Sequence, residues 1–171
     1  MIVITGTTRD LGHAIHKKIL ANNILSIEIN FNEYDLCNSA DIIKIIDKLS
    51  KYNITGCINN SYANGIGQLE FLFAIANYFG NDDTKFIINL GSINKDRNVF
   101  QNINQIKYSV YKRSLDDATT RINLLFPLLN IHNITLPMCD TSYNIHKNDE
   151  KISTDSVADL IFNYIKDNKK Y

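Results

Sequence analysis

Met1-Ile2-Val3-Ile4-Thr5-Gly6-Thr7-Thr8-Arg9-Asp10-Leu11-Gly12-His13-Ala14-Ile15 changes its period in the middle. Met1 to Thr5 is a short apolar run ending in Thr5-Gly6, as a strand buried on both faces does. From Leu11 onward, Leu11, Ala14, Ile15, Ile19 and Leu20 follow helical spacing, so a helix starts directly after a glycine turn. At such a junction a residue without Cβ lets the backbone approach a pyrophosphate, and the helix N-terminus adds free N–H groups and a positive dipole end. Gly6 and Gly12 alone would equally suit a plain tight turn, so the rest of the chain has to decide.

The same alternation recurs downstream. Residues 24–29 read as a second strand and 34–37 as a third, very short one. Asn38 or Ser39 then caps a helix carrying Ile42, Ile43, Ile46 and Leu49. Residues 54–59 are the fourth strand, 69–79 a helix, and 86–90 a continuous apolar strand. A helix over 105–125 follows, then a strand near 131–136. Ser153 or Thr154 caps a last helix bearing Val157, Ala158, Ile161, Phe162 and Ile165. Alternating strands and helices build βαβ units on a parallel sheet. The reading is an α/β, Rossmann-like doubly wound sheet of about six strands in a single domain spanning 1–171.

Composition removes several function classes. At 171 residues with 44% hydrophobic residues, the chain is long enough for one domain with a real core. Eighteen basic and eighteen acidic residues give no net charge, so no basic surface for nucleic acid or an anionic membrane is implied. No apolar stretch approaches the roughly 20 residues of a membrane span. Thr5 to Asp10 interrupt any signal-peptide pattern. Cys37, Cys57 and Cys139 are widely spaced with no CxxC, and read as reduced thiols in a cytoplasmic protein. His13 and His16 have no evident third ligand, so packing or solvent exposure is the reading for them and no metal is expected. The chain has 23 Asn and 27 Ile, so an isolated Asn carries little functional weight.

With these pieces in order, the chain resembles the short-chain dehydrogenase/reductase family. Its turn is similar to the family's TGxxxGxG: Gly6 and Gly12 match the first and third glycines, and Asp10 replaces the middle one. The resemblance implies that Gly6, Thr8, Arg9, Leu11 and Gly12 line a dinucleotide. Arg9 matches the basic residue of NADPH-preferring members, and Asn30 stands where NAD-preferring members carry an acid. NADP(H) is therefore favoured, while Glu28, two residues earlier on the same side of the strand, keeps NAD(H) open. Asp35-Leu36 resembles the pair that touches the adenine. Asn59-Asn60-Ser61-Tyr62 resembles the family's NNAG, with Ala and Gly replaced, and implies contacts from Asn60 and Ser61. Asn133 to Pro137 resembles the segment before the family's Pro-Gly, which implies a contact at Pro137, although Met138 replaces the glycine. Thr141 or Ser142 would take the place of the threonine that meets the nicotinamide carboxamide.

The implied chemistry rests on Ser92, Tyr108 and Lys112, with Tyr108 and Lys112 also holding cofactor. Ser92 ends the run Ile87-Ile88-Asn89-Leu90-Gly91-Ser92 at a strand's carboxyl end, and Tyr108 and Lys112 lie one helical turn apart. A phenol near pKa 10 is a poor acid–base group at neutral pH, and a neighbouring ammonium makes proton transfer feasible. Nine Tyr and 14 Lys make roughly 0.7 Tyr-x-x-x-Lys pairs expected by chance, so spacing alone is weak. A second pair, Tyr143 and Lys147, lacks a strand-ending serine upstream. The resulting expectation is a carbonyl reductase or alcohol dehydrogenase acting on a small carbonyl or alcohol substrate. Its rival is a non-catalytic nucleotide-binding or scaffolding protein on the same fold. Asp10, Met138, a compressed 137–157 segment and an expected absence of the family's final strand favour that rival. Asn64 and Asn77 compete for the family's relay asparagine, which is left unassigned. The family's dimer bundle implies a homodimer through 69–79 and 105–125, and the first of these segments is apolar on nearly every side.

Overall fold

The first strand, β1 (Ile2–Thr5), is buried at all its positions because strands flank it on both sides and helices cover both faces. The computed structural model describes residues 1–144 and 151–168. In chain order the elements after β1 are α1 (Asp10–Ala21), β2 (Ser26–Ile29), α2 (Ser39–Leu49), β3 (Gly56–Asn59) and α3 (Ile66–Phe79). Then come β4 (Phe86–Leu90), α4 (Ile103–Leu125), β5 (Asn130–Ile134) and α5 (Thr154–Asn168). The five strands lie in the order β2-β1-β3-β4-β5, all parallel. The chain leaves β1 toward β2 on one side and returns to β3 on the other, so a crevice opens at the carboxyl ends of β1 and β3.

Strand alternation divides the core into two layers. Val3, Cys57 and Ile87 pack with α2, α3 and α4 through residues such as Ile45, Phe71, Leu72 and Leu115. Ile2, Ile4, Ile58 and Ile88 face the opposite way, against Ile15 and Ile19 of α1 and Val157 and Ile161 of α5.

The very short strand expected at 34–37 does not form, and among the described residues the sheet has five strands rather than about six. Polar side chains make that segment a turn. The Asp35 carboxylate accepts the Cys37 N–H at 2.9 Å, and the Asp35 N–H goes to the Asp41 carboxylate at 3.1 Å. The Asp35 carbonyl accepts the Asn38 N–H at 2.9 Å, so little backbone is left for a ladder. Leu36 is buried as a single apolar anchor, and β2 becomes an edge. Asn38 is the cap of α2, accepting the Ala40 N–H at 2.9 Å. Ser153 caps α5 by accepting the Ser156 N–H at 3.1 Å. Helices α3 and α4 begin earlier than their periodicity indicates, at Ile66 and Ile103, and Asn102 caps α4. The rival pair Tyr143–Lys147 cannot be placed, since Lys147 lies outside the described residues. No helix among the described residues is long and apolar enough to cross a membrane.

Candidate active site

The glycine turn is held from three directions. Gly6 adopts φ +70°, and a Cβ on Gly12 would come within 1.8 Å of the Gly6 carbonyl oxygen, so α1 abuts the turn backbone directly. Asn60, just beyond β3, donates through Nδ2 to the Thr5 and Gly6 carbonyls at 3.0 and 3.1 Å. The Thr5 hydroxyl accepts the N–H groups of Asn60 and Ser61 at 2.9 and 2.8 Å. Just beyond β2, the Asn30 amide accepts the Thr7 N–H at 2.8 Å and donates to the Thr7 hydroxyl at 3.0 Å. Glu28 takes a hydrogen bond from the same hydroxyl and lies 3.4 Å from His16 Nδ1. Asn30 is thus engaged in holding the turn, and Arg9 remains exposed at its rim.

No side chain caps α1, so its first N–H groups are of the kind that receive an anion. The turn, the close approach at Gly12 and that open helix end fit a pyrophosphate. Asp10 is the misfit. It holds φ +49°, a left-handed conformation that favours glycine. Its carboxylate accepts both the N–H and the hydroxyl of Ser142, at 2.8 and 2.7 Å, forming a clasp between the first turn and the segment beyond β5. Leu36 and Cys37 touch Gly67 at the start of α3, while Pro137 is exposed past β5.

At the far side of the crevice, Ser92 follows β4 and opens a 3₁₀ turn, its hydroxyl accepting the Asn94 N–H at 3.2 Å. Backbone bonds from Gly91 to Ile134 and from Ile93 to Leu136 carry the β4–β5 pairing past Ser92 toward Pro137. Helix α4 is fastened alongside by the Ser109 hydroxyl, which donates to the Lys95 carbonyl at 3.1 Å. Lys112, only 4% exposed, points its Nζ at the Leu90 carbonyl and at Gln68 Oε1, both at 2.7 Å. The rings of Tyr62 and Tyr108 each lie 5.7 Å from that Nζ, and their centroids are 4.9 Å apart. Burial pushes the Lys112 ammonium down to about 7, with only Asp116 opposing. Asp116 is itself bound by Lys95 and Asn133.

Lys112 and Tyr108 therefore meet at the end of β4, from which Ser92 emerges, while Asn60 and Ser61 beyond β3, the neighbouring strand, meet Gly6 and Gly12 beyond β1. Two participants escape the sequence reading. Tyr62 registers there only as a replaced residue, although its ring covers Lys112. Gln68 is not singled out at all, and its signal was a lone amide in the apolar opening turns of α3.

No protein-family model matches the sequence, and no curated protein does. Solved structures do match in fold. A short-chain dehydrogenase from Burkholderia cenocepacia in complex with NADP aligns with TM-score 0.76 at 17% identity, over 96% of this chain and 83% of that one. A 3-alpha-hydroxysteroid dehydrogenase from a Pseudomonas species, complexed with NADH, aligns with TM-score 0.79 at 13% identity, over 94% and 87%. The alcohol dehydrogenase of Thermococcus sibiricus, complexed with 5-hydroxy-NADP, gives 0.77 at 11% identity, over 96% and 90%. The chain has the α/β fold of short-chain dehydrogenases.

Proposed function

We propose that the chain is a short-chain dehydrogenase/reductase that uses NADP(H) to interconvert a small carbonyl compound and its alcohol. One observation carries this reading: a buried lysine ammonium lies 5.7 Å from the Tyr108 ring and is bonded to the carbonyl of Leu90, two residues before Ser92. Gly6, Thr8, Arg9, Leu11, Gly12, Asn60 and Ser61 would hold the dinucleotide, with Asp35, Leu36 and Pro137 at its ends and Lys112 on its ribose. When bound, the nicotinamide supplies or accepts the hydride. Ser92 orients the substrate carbonyl through its hydroxyl. Tyr108 gives its phenolic proton to the carbonyl oxygen during reduction and takes it back during oxidation. The Lys112 ammonium stabilises the phenolate left behind, and Tyr62 and Gln68 exclude water from around it. The preference for NADP(H) rests on Arg9, exposed at the rim, and on Asn30, a neutral amide engaged with Thr7. Neighbours bound to NADP and to NADH both occur, so titration has to separate the two.

A second reading has its own observation. The Asp10–Ser142 clasp puts a carboxylate at the helix end where a phosphate would bind, as expected of a scaffold that has given up catalysis. Calorimetric titration with NADPH and NADH decides between them. Saturation by NADPH at micromolar levels supports the reductase, and binding of neither at millimolar levels leaves the scaffold. A reducing, cytoplasmic setting suits the three free cysteines. The reading includes a homodimer through α3 and α4, where Ile66, Phe73, Ile106 and Val110 are exposed. Light scattering at tens of micromolar should give twice 19.5 kDa.

A further inference from the structure

We propose that Gln68 is a positioning residue for Lys112: its amide fixes the lysine Nζ beneath the Tyr108 ring and ties it to the glycine turn through hydrogen bonds to Asn59 and the covalent step from Asn59 to Asn60. Gln68 is 2% exposed, in the first turn of α3. Its Nε2 donates to the Asn59 carbonyl at 2.7 Å and to the Leu90 carbonyl at 3.3 Å. Carbonyl oxygens only accept and an ammonium only donates, so the amide has one possible orientation, with Oε1 facing Lys112. Asn59 returns the contact, donating from Nδ2 to the Gln68 carbonyl at 2.9 Å and to Asn89 Oδ1 at 2.9 Å. Asn89 donates in turn to the Thr119 hydroxyl of α4 at 3.1 Å. The residue after Asn59 is Asn60, which grips Thr5 and Gly6. The glycine turn and Lys112 are thus joined through β3 and Gln68 by direct contacts.

The chemistry of the acceptor matters as much as its place. Gln68 and the Leu90 carbonyl are neutral, and the groups facing the ammonium from the preceding loop and from α4 are the Tyr62 and Tyr108 rings. The nearest carboxylate that acts on it, Asp116, is occupied by Lys95. A neutral oxygen holds the lysine in place without fixing its charge, which leaves the ammonium able to titrate near neutral pH. A carboxylate at position 68 would hold the same position and lock the proton on.

The kinetic consequence rests on the reductase reading, but the positioning does not, and the test separates them. Uniformly lysine-13C-labelled protein is titrated by NMR, with the Lys112 signal assigned by its loss in Lys112→Arg. Gln68→Glu should raise the Lys112 midpoint by at least about one pH unit, tenfold in proton affinity. Gln68→Leu, which removes the acceptor, should lower it. Circular dichroism checks that both fold; should Gln68→Leu fail to fold, Gln68→Glu decides alone. A midpoint unmoved in folded Gln68→Glu overturns the proposal. In a carbonyl-reduction assay, Gln68→Glu should shift the alkaline limb of kcat in the same direction as the NMR midpoint, with KM for the carbonyl unchanged. If the midpoint moves while no variant or parent turns over any carbonyl, the reductase reading falls and the positioning role stands.

Discussion

The two ends of the crevice treat charge in opposite ways. At the β4–α4 end a cation is buried, encircled by neutral acceptors and two aromatic rings, and held by a network reaching four elements. At the β1–α1 end an anion sits near the surface, on a residue with φ +49°, and it is met by the neighbouring Arg9 guanidinium at 3.8 Å and by a serine 132 residues away. Desolvation dominates the first, and the second is solvated and replaceable. The contrast teaches that the buried-lysine end is built in advance of any ligand, whereas at the α1 helix end the protein's own carboxylate already stands.

Removing the hydroxyl of the proposed proton carrier should separate the two ends most sharply. Tyr108→Phe is expected to abolish turnover, by a factor of at least about 100, while calorimetry shows NADPH affinity nearly unchanged. Retained turnover in that variant would mean that the β4–α4 end is not the acid–base centre. Next in size, Asp10→Gly should tighten NADPH by about tenfold. It removes a charge from the phosphate site and relieves a left-handed residue costing about 1 kcal/mol. Weaker binding in Asp10→Gly would make the carboxylate part of the site rather than an obstruction to it.

A third expectation concerns pH. The folded Lys112 value is depressed to about 7 from its ordinary 10.5, so between those values the unfolded chain binds more protons than the folded one. Its contribution to stability therefore rises as pH climbs from about 7 to 10.5. Urea melts across that window should show the rise in the parent and lose it in Lys112→Met. The smallest effect belongs to Arg9. Arg9→Ala should weaken NADPH several-fold and leave NADH alone, because an exposed guanidinium contributes on the order of 1 kcal/mol to holding a phosphate.

How much of this was legible in the sequence follows from the range of each interaction. The change of period at Thr5-Gly6 and the apolar runs at Val3 and Ile87 are local signals, and the sheet, its direction and its helices follow from them. The segment 34–37 was misread because Asp35 and Asn38 turn their side chains on their own backbone, which competes with strand pairing and leaves Leu36 as an isolated apolar residue. Asp10 stood out as a departure from the glycine pattern, but Ser142 as its partner could not be read from spacing. Gln68 was harder still. Its role exists only because Asn59, Leu90 and Lys112 converge on it from three separate elements.

The clasp between Asp10 and Ser142 also bears on the order in which the molecule assembles. A contact closing 132 residues carries a loop-closure cost that pairing of the intervening strands removes, so it is expected to form late. A contact that forms after the transition state changes the unfolding rate when lost and leaves the folding rate alone, which is the expectation for this clasp. In a chevron plot Ser142→Ala should raise the unfolding limb and superimpose on the parent's folding limb. The glycine turn would then be the first piece of the site to emerge from synthesis and the last to be fastened, and until that moment its helix end stands open to any phosphate in solution.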